Sequence, residues 1–450
     1  MAASTERIDL LAAFVREVIP RLTPSDRLVL AASGGADSTA MVSLLVEAGL
    51  ADAALCAVAH FDHRLRGEAA SAGDRATVAA LCERYRLQLI AGSWDDPRAG
   101  EAAARDARYA FLAGIARQQD AAVVTGHTGD DQAETVLLHA LRGAGLHGLA
   151  GMAPDAPLPG ARDVRLLRPM LCLSRAETRA WCGARGLGFA DDPTNDDTSF
   201  ARNRVRLQLL PALEHASPGA RGALLRLAVD ARRTLEAAAS LAAPALLADR
   251  DDGAVWLSRD VLRAFPPEVA QVAWRTALVR LLGDAREFGR AHYETMAGAA
   301  EARTGATFTL PRGVVLSVDP GALALSVGPL GPPPLDSMFE RALPFAGVAG
   351  AWSIDIRPAA AGHAAIALPA GAVLRARRPG DRVRPRGLGG TKKLQDWYTD
   401  QKVPRRERHA APVIAAEGDV LWTPFGPCGD DGRRQGGPFV VRCERAVTPR

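Results

Sequence analysis

The sequence has few cysteines and no long apolar run, and each of these features excludes some classes of protein. Six cysteines are scattered along 450 residues, and no two are spaced as C-x-x-C. Paired cysteines are typical of structural zinc, iron–sulfur and disulfide-stabilised proteins, so we expect a reduced protein without such centres. No apolar run reaches the ~18 residues of a membrane helix, so no membrane partner is expected.

Charged residues also interrupt the N-terminal segment. Glu6, Asp9, Arg16 and Glu17 break any apolar core there. A secretory signal needs such a core, so we expect no signal peptide and predict a cytoplasmic protein.

The positive charge is concentrated near the C-terminus. The net charge is only +4, but residues 373–409 hold 12 Lys plus Arg against 4 Asp plus Glu. This local charge of +8 leaves −4 for the rest of the chain. A basic segment on a near-neutral protein indicates a polyanionic partner such as nucleic acid, and the alternative is a solvated basic face.

Short apolar strands alternate with helices through the first 142 residues. This order predicts an α/β fold with a mostly parallel sheet, whose ligands lie beyond the carboxyl ends of the strands. The predicted strands are 27–32, 54–60, 87–91 and 121–126, and the predicted helices are 38–48, 71–86, 104–119 and 130–142.

The remaining sequence predicts two further domains. Residues 151–165 are rich in Pro and Gly and are predicted to be a loop, and Ser174 with Glu177 predicts a capped helix over 174–186. An Ala- and Leu-rich long helix or helix pair is predicted over 217–247, and strands return after 350. With 450 residues, we expect a catalytic domain at 1–215, a helical domain at 216–330 and a small β-rich domain at 345–450.

A glycine-rich turn joins the first predicted strand to its helix. It contains Ser33, Gly34, Gly35, Ala36, Asp37 and Ser38. Such a turn points backbone N–H groups and the helix dipole at one spot, which suits phosphate. The Lys of a Walker A loop is missing, and the turn resembles the pyrophosphate loop of enzymes that split ATP into AMP and pyrophosphate. The alternative is an ordinary strand–helix turn.

Acidic residues follow the strand at 121–126. Gly126 and His127 end the strand, and Asp130, Asp131 and Glu134 follow at helical spacing. With Asp37 they would make a plausible Mg²⁺ site, because Mg²⁺ prefers one or two carboxylates plus substrate phosphates. The alternative is that these acids only favour the positive end of the helix.

Two further segments carry candidate ligands. His60 to Arg66 lies where a strand becomes a loop, which favours a nucleotide pocket over a zinc site. Arg105 and Arg108 lie at i, i+3 of one predicted helix, where they either bind ATP or an activated intermediate, or pair with carboxylates.

These segments together resemble the tRNA(Ile)-lysidine synthetase family, over nearly the whole chain. The matching segments are Ser33–Ser38, His60–Arg66, Arg105–Tyr109, Gly126–Thr135, Asp192–Arg206, Arg377–Arg382, Lys392–Asp396 and Val403–Arg408. The glycine-rich loop alone indicates only a pyrophosphate-loop ATPase; Asp192–Arg206 and the basic tail narrow the resemblance to this family.

The resemblance implies a pyrophosphate-loop (adenine nucleotide alpha hydrolase-like, Rossmann-like) domain, followed by helical and β-rich tRNA-binding domains. It implies that ATP adenylates the C2 oxygen of the wobble cytidine in an isoleucine tRNA with a CAU anticodon. The ε-amine of L-lysine then expels AMP, and the lysidine product reads AUA instead of AUG. The implied cofactors are ATP and Mg²⁺, and a homodimer is an open possibility.

The resemblance also implies roles for residues of this chain. Nucleotide binding falls to Ser33, Gly34, Gly35, Ala36, Asp37, Ser38, His60, Gly126 and His127; catalysis to Asp37, Asp130, Asp131, Glu134, Arg108, Arg202 and Arg206; metal binding to Asp37 and Asp131. Which carboxylate faces metal and which faces the lysine ammonium stays open.

The chain departs from the family pattern at two positions, and three other functions compete. Thr128 stands where the family usually has a second His, so no role of that ring transfers, and Thr194 replaces a Ser.

A tRNA thiolase would need paired or persulfide-carrying cysteines. A small-molecule synthetase or amidotransferase would not need the basic tail. A non-catalytic tRNA-binding protein would not need the intact loop and carboxylates.

Overall fold

The computed structural model divides the chain into two compact units, Met1–Ala237 and Ala238–Arg450. It describes residues 2–18, 20–64, 68–94, 101–190, 197–248, 253–332, 334–359, 366–385, 390–428 and 437–446. Across these ranges, every helix is too short or too polar to cross a membrane.

The first unit is built on a six-stranded sheet. Its strand order is β3-β2-β1-β4-β6-β5, and every neighbouring pair is parallel except β5 with β6. The strands are β1 Leu28–Ala31, β2 Cys56–Asp62, β3 Gln88–Ser93, β4 Ala122–Thr125, β5 Asp155–Leu158 and β6 Ala161–Leu167.

Helices cover both faces of this sheet. In β1, Leu28 and Leu30 join one apolar core with helix α2, while Val29 joins the other with helix α4. The short apolar run is therefore buried on both faces, as expected of a central parallel strand. The helices are α1 Ala2–Val18, α2 Ala36–Glu47, α3 Glu68–Tyr85, α4 Glu101–Gln119, α5 Gly129–Leu141, α6 Leu146–Leu149, α7 Arg175–Arg185, α8 Ala201–Arg204, α9 Leu210–Ala216 and α10 Ala220–Ala242, with a π-helical segment Val205–Leu209 between α8 and α9.

The predicted loop over 151–165 is wrong, because β5 and β6 form an antiparallel hairpin there. Pro157 is tolerated because β5 is the edge strand, where a missing N–H leaves no ladder bond unmade. The buried side chains of Leu158, Val164 and Leu166 hold the hairpin on the core. The predicted capped helix is confirmed: Ser174 N donates to Glu177 Oε2 at 2.6 Å, and Glu177 N donates back to Ser174 Oγ.

The second unit contains three sheets. One has the order β7-β10-β9-β8, the second β11-β15-β18-β19-β16-β17 with β20 beside β19, and the third β12-β13-β21-β14. The strands are β7 Val255–Ser258, β8 Thr307–Thr309, β9 Val314–Asp319, β10 Ala322–Val327, β11 Glu340–Ala342, β12 Phe345–Ala349, β13 Trp352–Pro358, β14 Ile366–Leu368, β15 Val373–Ala376, β16 Arg382–Val383, β17 Lys392–Lys393, β18 Pro412–Ala416, β19 Asp419–Thr423, β20 Gly426–Pro427 and β21 Gly437–Arg445.

Within the described part of this unit, five α-helices accompany these sheets. They are α11 Arg259–Ala264, α12 Pro267–Leu282, α13 Arg290–Glu301, α14 Leu394–Asp400 and α15 Arg405–Arg408. The predicted fold class is confirmed: a parallel-sheet α/β domain precedes helices and a β-rich C-terminal region. The three domain boundaries stay a prediction.

Candidate active site

The glycine-rich loop and the acidic helix meet at the carboxyl edge of the sheet. From β1 the chain moves outward to β2 and β3, and then returns to β4 on the other side of β1. Ligands of such sheets bind in the crevice where the strand order reverses. The loop after β1 and the loop after β4 flank this crevice, and a Cβ on Gly126 would lie 3.1 Å from the backbone of Asp37.

The loop after β1 has the backbone conformation expected of a phosphate cradle. Gly34 has a φ of +92°, which glycine adopts without strain. Ser33 N donates to Ser38 Oγ at 3.2 Å, and Ser38 Oγ donates to Gly35 O at 3.0 Å, so the turn closes on the first turn of α2. The N-terminus of α2 therefore opens towards the crevice with its unpaired N–H groups.

Of the two predicted histidines at this edge, His60 is buried and His127 is half-buried. His60 Nδ1 donates to Ala32 O at 3.0 Å, which fixes the ring against the start of the loop. His127 Nδ1 lies 2.9 Å from Thr125 Oγ1. Burial is the main cause that lowers the pKa of His127 to about 3; Asp131 opposes it, and Arg168, Arg108 and Arg202 add to it. His127 is therefore neutral at physiological pH.

Thr128, the position that departs from the family pattern, caps helix α5. Both its backbone N and its Oγ1 donate to Asp131 Oδ2, at 2.8 and 3.0 Å. One oxygen of Asp131 is thus held by the helix cap, and the other, Oδ1, accepts from Arg175 and Arg202. The cap fixes the direction of this carboxylate without an imidazole at position 128.

The sequence did not single out Arg175, which gathers the predicted carboxylates. Its Nη1 donates to Glu134 Oε1 at 2.6 Å, its Nη2 pairs with Asp131 Oδ1, and its Nε lies 3.6 Å from Asp37 Oδ2. Its backbone N donates to Asp130 Oδ2 at 2.8 Å. Arg175 is the first residue of α7. The sequence therefore showed a helix cap at Ser174 and gave no sign that the next residue contacts the carboxylates.

Arginines from α8, the π-helical segment and α10 complete the cluster. Arg202 Nε donates to Glu134 Oε2 at 2.8 Å, and Arg206 Nε donates to Glu134 Oε1 at 2.9 Å. Arg221 Nη1 lies 2.5 Å from Asp130 Oδ1. π-helical segments are frequent at functional sites, and here the segment presents Arg206 to the buried Glu134.

The arginines lower the pKa of some carboxylates of the site and leave that of another raised. Burial alone would raise the pKa of Asp131 and Glu134, but Arg175 with Arg202 or Arg206 lowers both below their ordinary values. Burial raises the pKa of Asp37, and its hydrogen bond from Thr178 only partly offsets this. Asp131 and Glu134 are therefore firmly ionised anions, while Asp37 holds a proton more readily.

The metal role predicted for Asp37 and Asp131 stays a prediction. Arg175 lies between Asp37 and Asp131, and the described residues contain no group of three or more His, Cys, Asp or Glu suited to a metal ion. Arg108 lies on α4, apart from the carboxylate cluster, beside Tyr109. Arg66 and the segment 192–195, which includes Thr194, lie outside the described residues.

Comparison with known proteins gives a consistent family. Residues 6–213 match the family described as PP-loop domain, and residues 372–431 match the family described as TilS substrate C-terminal domain. A tRNA(Ile)-lysidine synthase of Symbiobacterium thermophilum is 36% identical over 91% of this chain and 92% of its own length. The proteins of that name from Geobacter sulfurreducens and Dehalococcoides mccartyi are 32% and 30% identical; the matches cover 89% of this chain in both cases, and 88% and 91% of those proteins.

Proposed function

The chain belongs to the tRNA(Ile)-lysidine synthase family of ATP-using ligases, and on that premise we propose that it joins L-lysine to the wobble cytidine of the isoleucine tRNA with a CAU anticodon. The product, lysidine, would change the codon read from AUG to AUA. The observation that carries this proposal is that the phosphate-binding loop and the ionised carboxylates meet in one crevice, where Asp37 and Asp131 share Arg175.

The first step of the proposed reaction activates the RNA base. The C2 oxygen of the cytidine attacks the α-phosphorus of ATP, and the bond to pyrophosphate breaks. Negative charge grows on the departing pyrophosphate, so preorganised N–H donors lower the barrier. The N–H groups at the start of α2, with the hydroxyl of Ser33, are the donors we assign to it. The C2 oxygen is a poor leaving group by itself, and it becomes a good one once it carries AMP.

The second step needs an uncharged amine near that carbon. Lysine arrives as an ammonium, so an anion must bind it and a proton must leave before its nitrogen attacks C2. The C2–O bond then breaks and AMP departs. Asp131, which arginines hold ionised and whose side chain is 12% exposed, is the carboxylate we assign to the ammonium. Glu134 is completely buried among arginines and anchors them. Asp37 has the raised pKa of a group that accepts a proton more readily.

Mg²⁺ is proposed to enter with ATP. Its preferred ligands, phosphate oxygens and one or two carboxylates, are those that a nucleotide in this crevice would bring together with Asp37. Because the carboxylates as arranged are bridged by Arg175, no step of the mechanism is assigned to the metal.

The target base must leave its stack to reach the crevice. Anticodon bases are single-stranded and are recognised splayed out, at a cost of a few kcal/mol at most. The basic C-terminal region is proposed to hold the tRNA. Trp397 and Tyr398 are buried there, so they support the fold rather than stack on bases. Since tRNA is the substrate, the cytoplasm is the proposed location, and a homodimer stays open.

The thiolase alternative is weakened by the cysteines. Cys56, Cys82, Cys182 and Cys428 are buried. Burial raises the pKa of Cys82 and Cys182 to about 11, which disfavours the thiolate that sulfur transfer requires.

The test supplies purified protein with Mg²⁺–ATP, labelled lysine and a transcript of the isoleucine tRNA, and counts label in the RNA. A methionine tRNA with the same anticodon is the control. Label in the isoleucine tRNA alone, with AMP released, supports the proposal. ATP cleavage to pyrophosphate without label would remove lysine as the nucleophile and bring the thiolase or amidotransferase alternatives forward.

A further inference from the structure

Three arginines beside the candidate site have no carboxylate partner. Arg105, Arg108 and Arg168 form no ion pair with any described residue, whereas Arg175 and Arg202 each contact two or more carboxylates. Removing a cation from water is costly unless an anion compensates it. A group of arginines without a counter-ion therefore indicates an anion that comes from outside the chain.

Arg168 is the most deeply buried of the three. It follows β6 directly, at the carboxyl edge of the sheet, and its exposed fraction is 6%. Its Nη1 donates to Ala153 O at 2.7 Å, which anchors the residue, but its buried Nε has no hydrogen-bond partner among the described residues. One face of the guanidinium is thus held and the Nε edge is left with an unused donor.

Arg105 and Arg108 approach the same place from helix α4. Each guanidinium carbon lies 5.3 Å from the centre of the Tyr109 ring, and Arg105 Nη2 donates to Tyr109 Oη at 3.5 Å. The buried Nε of Arg108 also lacks a hydrogen-bond partner within the described part of the chain. Arg105 is exposed, Arg108 is half-buried and Arg168 is buried, so the charges lead inward from the surface.

The electrostatics of two neighbours agree with a shared positive field. Burial would raise the pKa of Tyr109, yet Arg105, Arg108 and Arg168 together lower it below its ordinary value. His127 follows the neighbouring strand β4 and is neutral, so it adds no further positive charge beside the arginines. The loop that follows β1 is a separate element, so this group is distinct from the phosphate cradle.

We propose that Arg105, Arg108 and Arg168 form an oxyanion subsite, at the carboxyl ends of β4 and β6, that binds a carboxylate or phosphate group. Guanidinium groups suit both ligands because their donors match two oxygens at once. The proposed function supplies one of each: the α-carboxylate of free lysine and the phosphates of ATP. Only this choice of test ligands rests on the proposed function.

The test measures binding by calorimetry, without tRNA, for L-lysine, for 1,5-diaminopentane (lysine without its carboxylate) and for ATP. The variants are Arg168→Gln, Arg108→Gln and Arg168→Lys. Arg117→Gln is the matched control, since Arg117 lies on the same helix α4 but pairs with Asp163 at the surface. Arg108→Gln keeps the test decisive if the deeply buried Arg168 variants do not fold.

Loss of a charge-assisted pair predicts affinity about tenfold to a hundredfold weaker for the oxyanion ligand, with partial rescue in Arg168→Lys and no change in Arg117→Gln. Weaker binding of lysine with unchanged binding of diaminopentane assigns the subsite to the carboxylate. Weaker binding of ATP with unchanged binding of lysine assigns it to phosphate. Folded variants that bind both ligands as the wild type does would overturn the subsite. If the arginine variants bind the ligand more weakly than the wild type, but the wild type never transfers lysine to tRNA, the subsite stands and the proposed function fails.

Discussion

Arg175 Nη1 and Glu134 Oε1 lie 2.6 Å apart in a buried ion pair that joins helix α7 to helix α5. Glu134 is completely buried, and the same guanidinium extends to Asp131 and towards Asp37 in the loop after β1. One side chain therefore fixes the position of the phosphate-binding loop relative to the carboxylates. The candidate site is held together by this arginine as much as by the strands.

Replacing Arg175 by Met is expected to destabilise the first unit by about 3–5 kcal/mol, because it leaves buried carboxylates without their main counter-ion. The free energy of unfolding from urea titrations measures this loss. Arg117→Gln, which breaks an exposed pair with Asp163, is the control and should cost at most about 1 kcal/mol. Equal effects of the two variants would show that the buried cluster is not a structural element.

His127 predicts a pH dependence of stability between pH 7 and pH 4. Its pKa is about 3 in the folded chain and 6.5 in the unfolded one. In that window only the unfolded chain takes up the proton, so stability falls as the pH falls, by up to about 1.4 kcal/mol per pH unit. Above pH 7.5 the residue has no effect. His127→Gln should flatten the slope between pH 5 and 6.5, and an unchanged slope would contradict a neutral His127 in the folded chain.

Gly126→Ala is expected to weaken ATP binding at least tenfold. A Cβ there would lie 3.1 Å from backbone atoms of Asp37 and Ser38, so the two loops must move apart. Gly114→Ala is the control, because a Cβ on that helical glycine meets nothing within 4 Å. Alanine there should leave binding unchanged and stabilise α4 slightly. Calorimetry with ATP distinguishes them, and equal affinities would mean that the loop contact does not shape the nucleotide site.

Some charged residues of the basic tail form ion pairs within the fold, and others are exposed and free to contact tRNA. Arg375 and Asp381 form a buried pair, and Arg406 pairs with Asp319, so both support the fold. Lys393 and Lys402 are exposed. Replacing both lysines by Gln is expected to weaken tRNA binding several-fold and to lower the salt dependence, because fewer counterions are released. Arg290→Gln, an exposed arginine outside the tail, should change neither, as filter binding at several salt concentrations would show.

The sequence predicted the first sheet well because its signals are local. Strands β1 and β4 are short apolar runs followed by glycine, and the helices between them have clear apolar spacing. The loop at Ser33–Ser38 and the acids of α5 were found for the same reason: each is one continuous motif. The β5–β6 hairpin was missed because Pro and Gly at an edge strand resemble a loop.

The arginine cluster could not be predicted from local signals. Arg175 and Arg168 lie in stretches whose visible features are a helix cap and a strand end, and their partners are distant in sequence. Only the packing of α7 against α2 and α5 brings the guanidinium of Arg175 to Glu134. The sequence likewise did not place Arg175 between Asp37 and Asp131, whose metal role stays a prediction.

The most direct test of the account is whether ATP activates the tRNA before lysine takes part. Protein, Mg²⁺, the isoleucine tRNA and ATP labelled on its α-phosphate are mixed without lysine, and the RNA is isolated under denaturing conditions. Labelled AMP is expected on this tRNA and not on a methionine tRNA, and it should be released when unlabelled lysine is added. No label on the RNA, or equal label on the methionine tRNA, would contradict activation of the tRNA before lysine takes part.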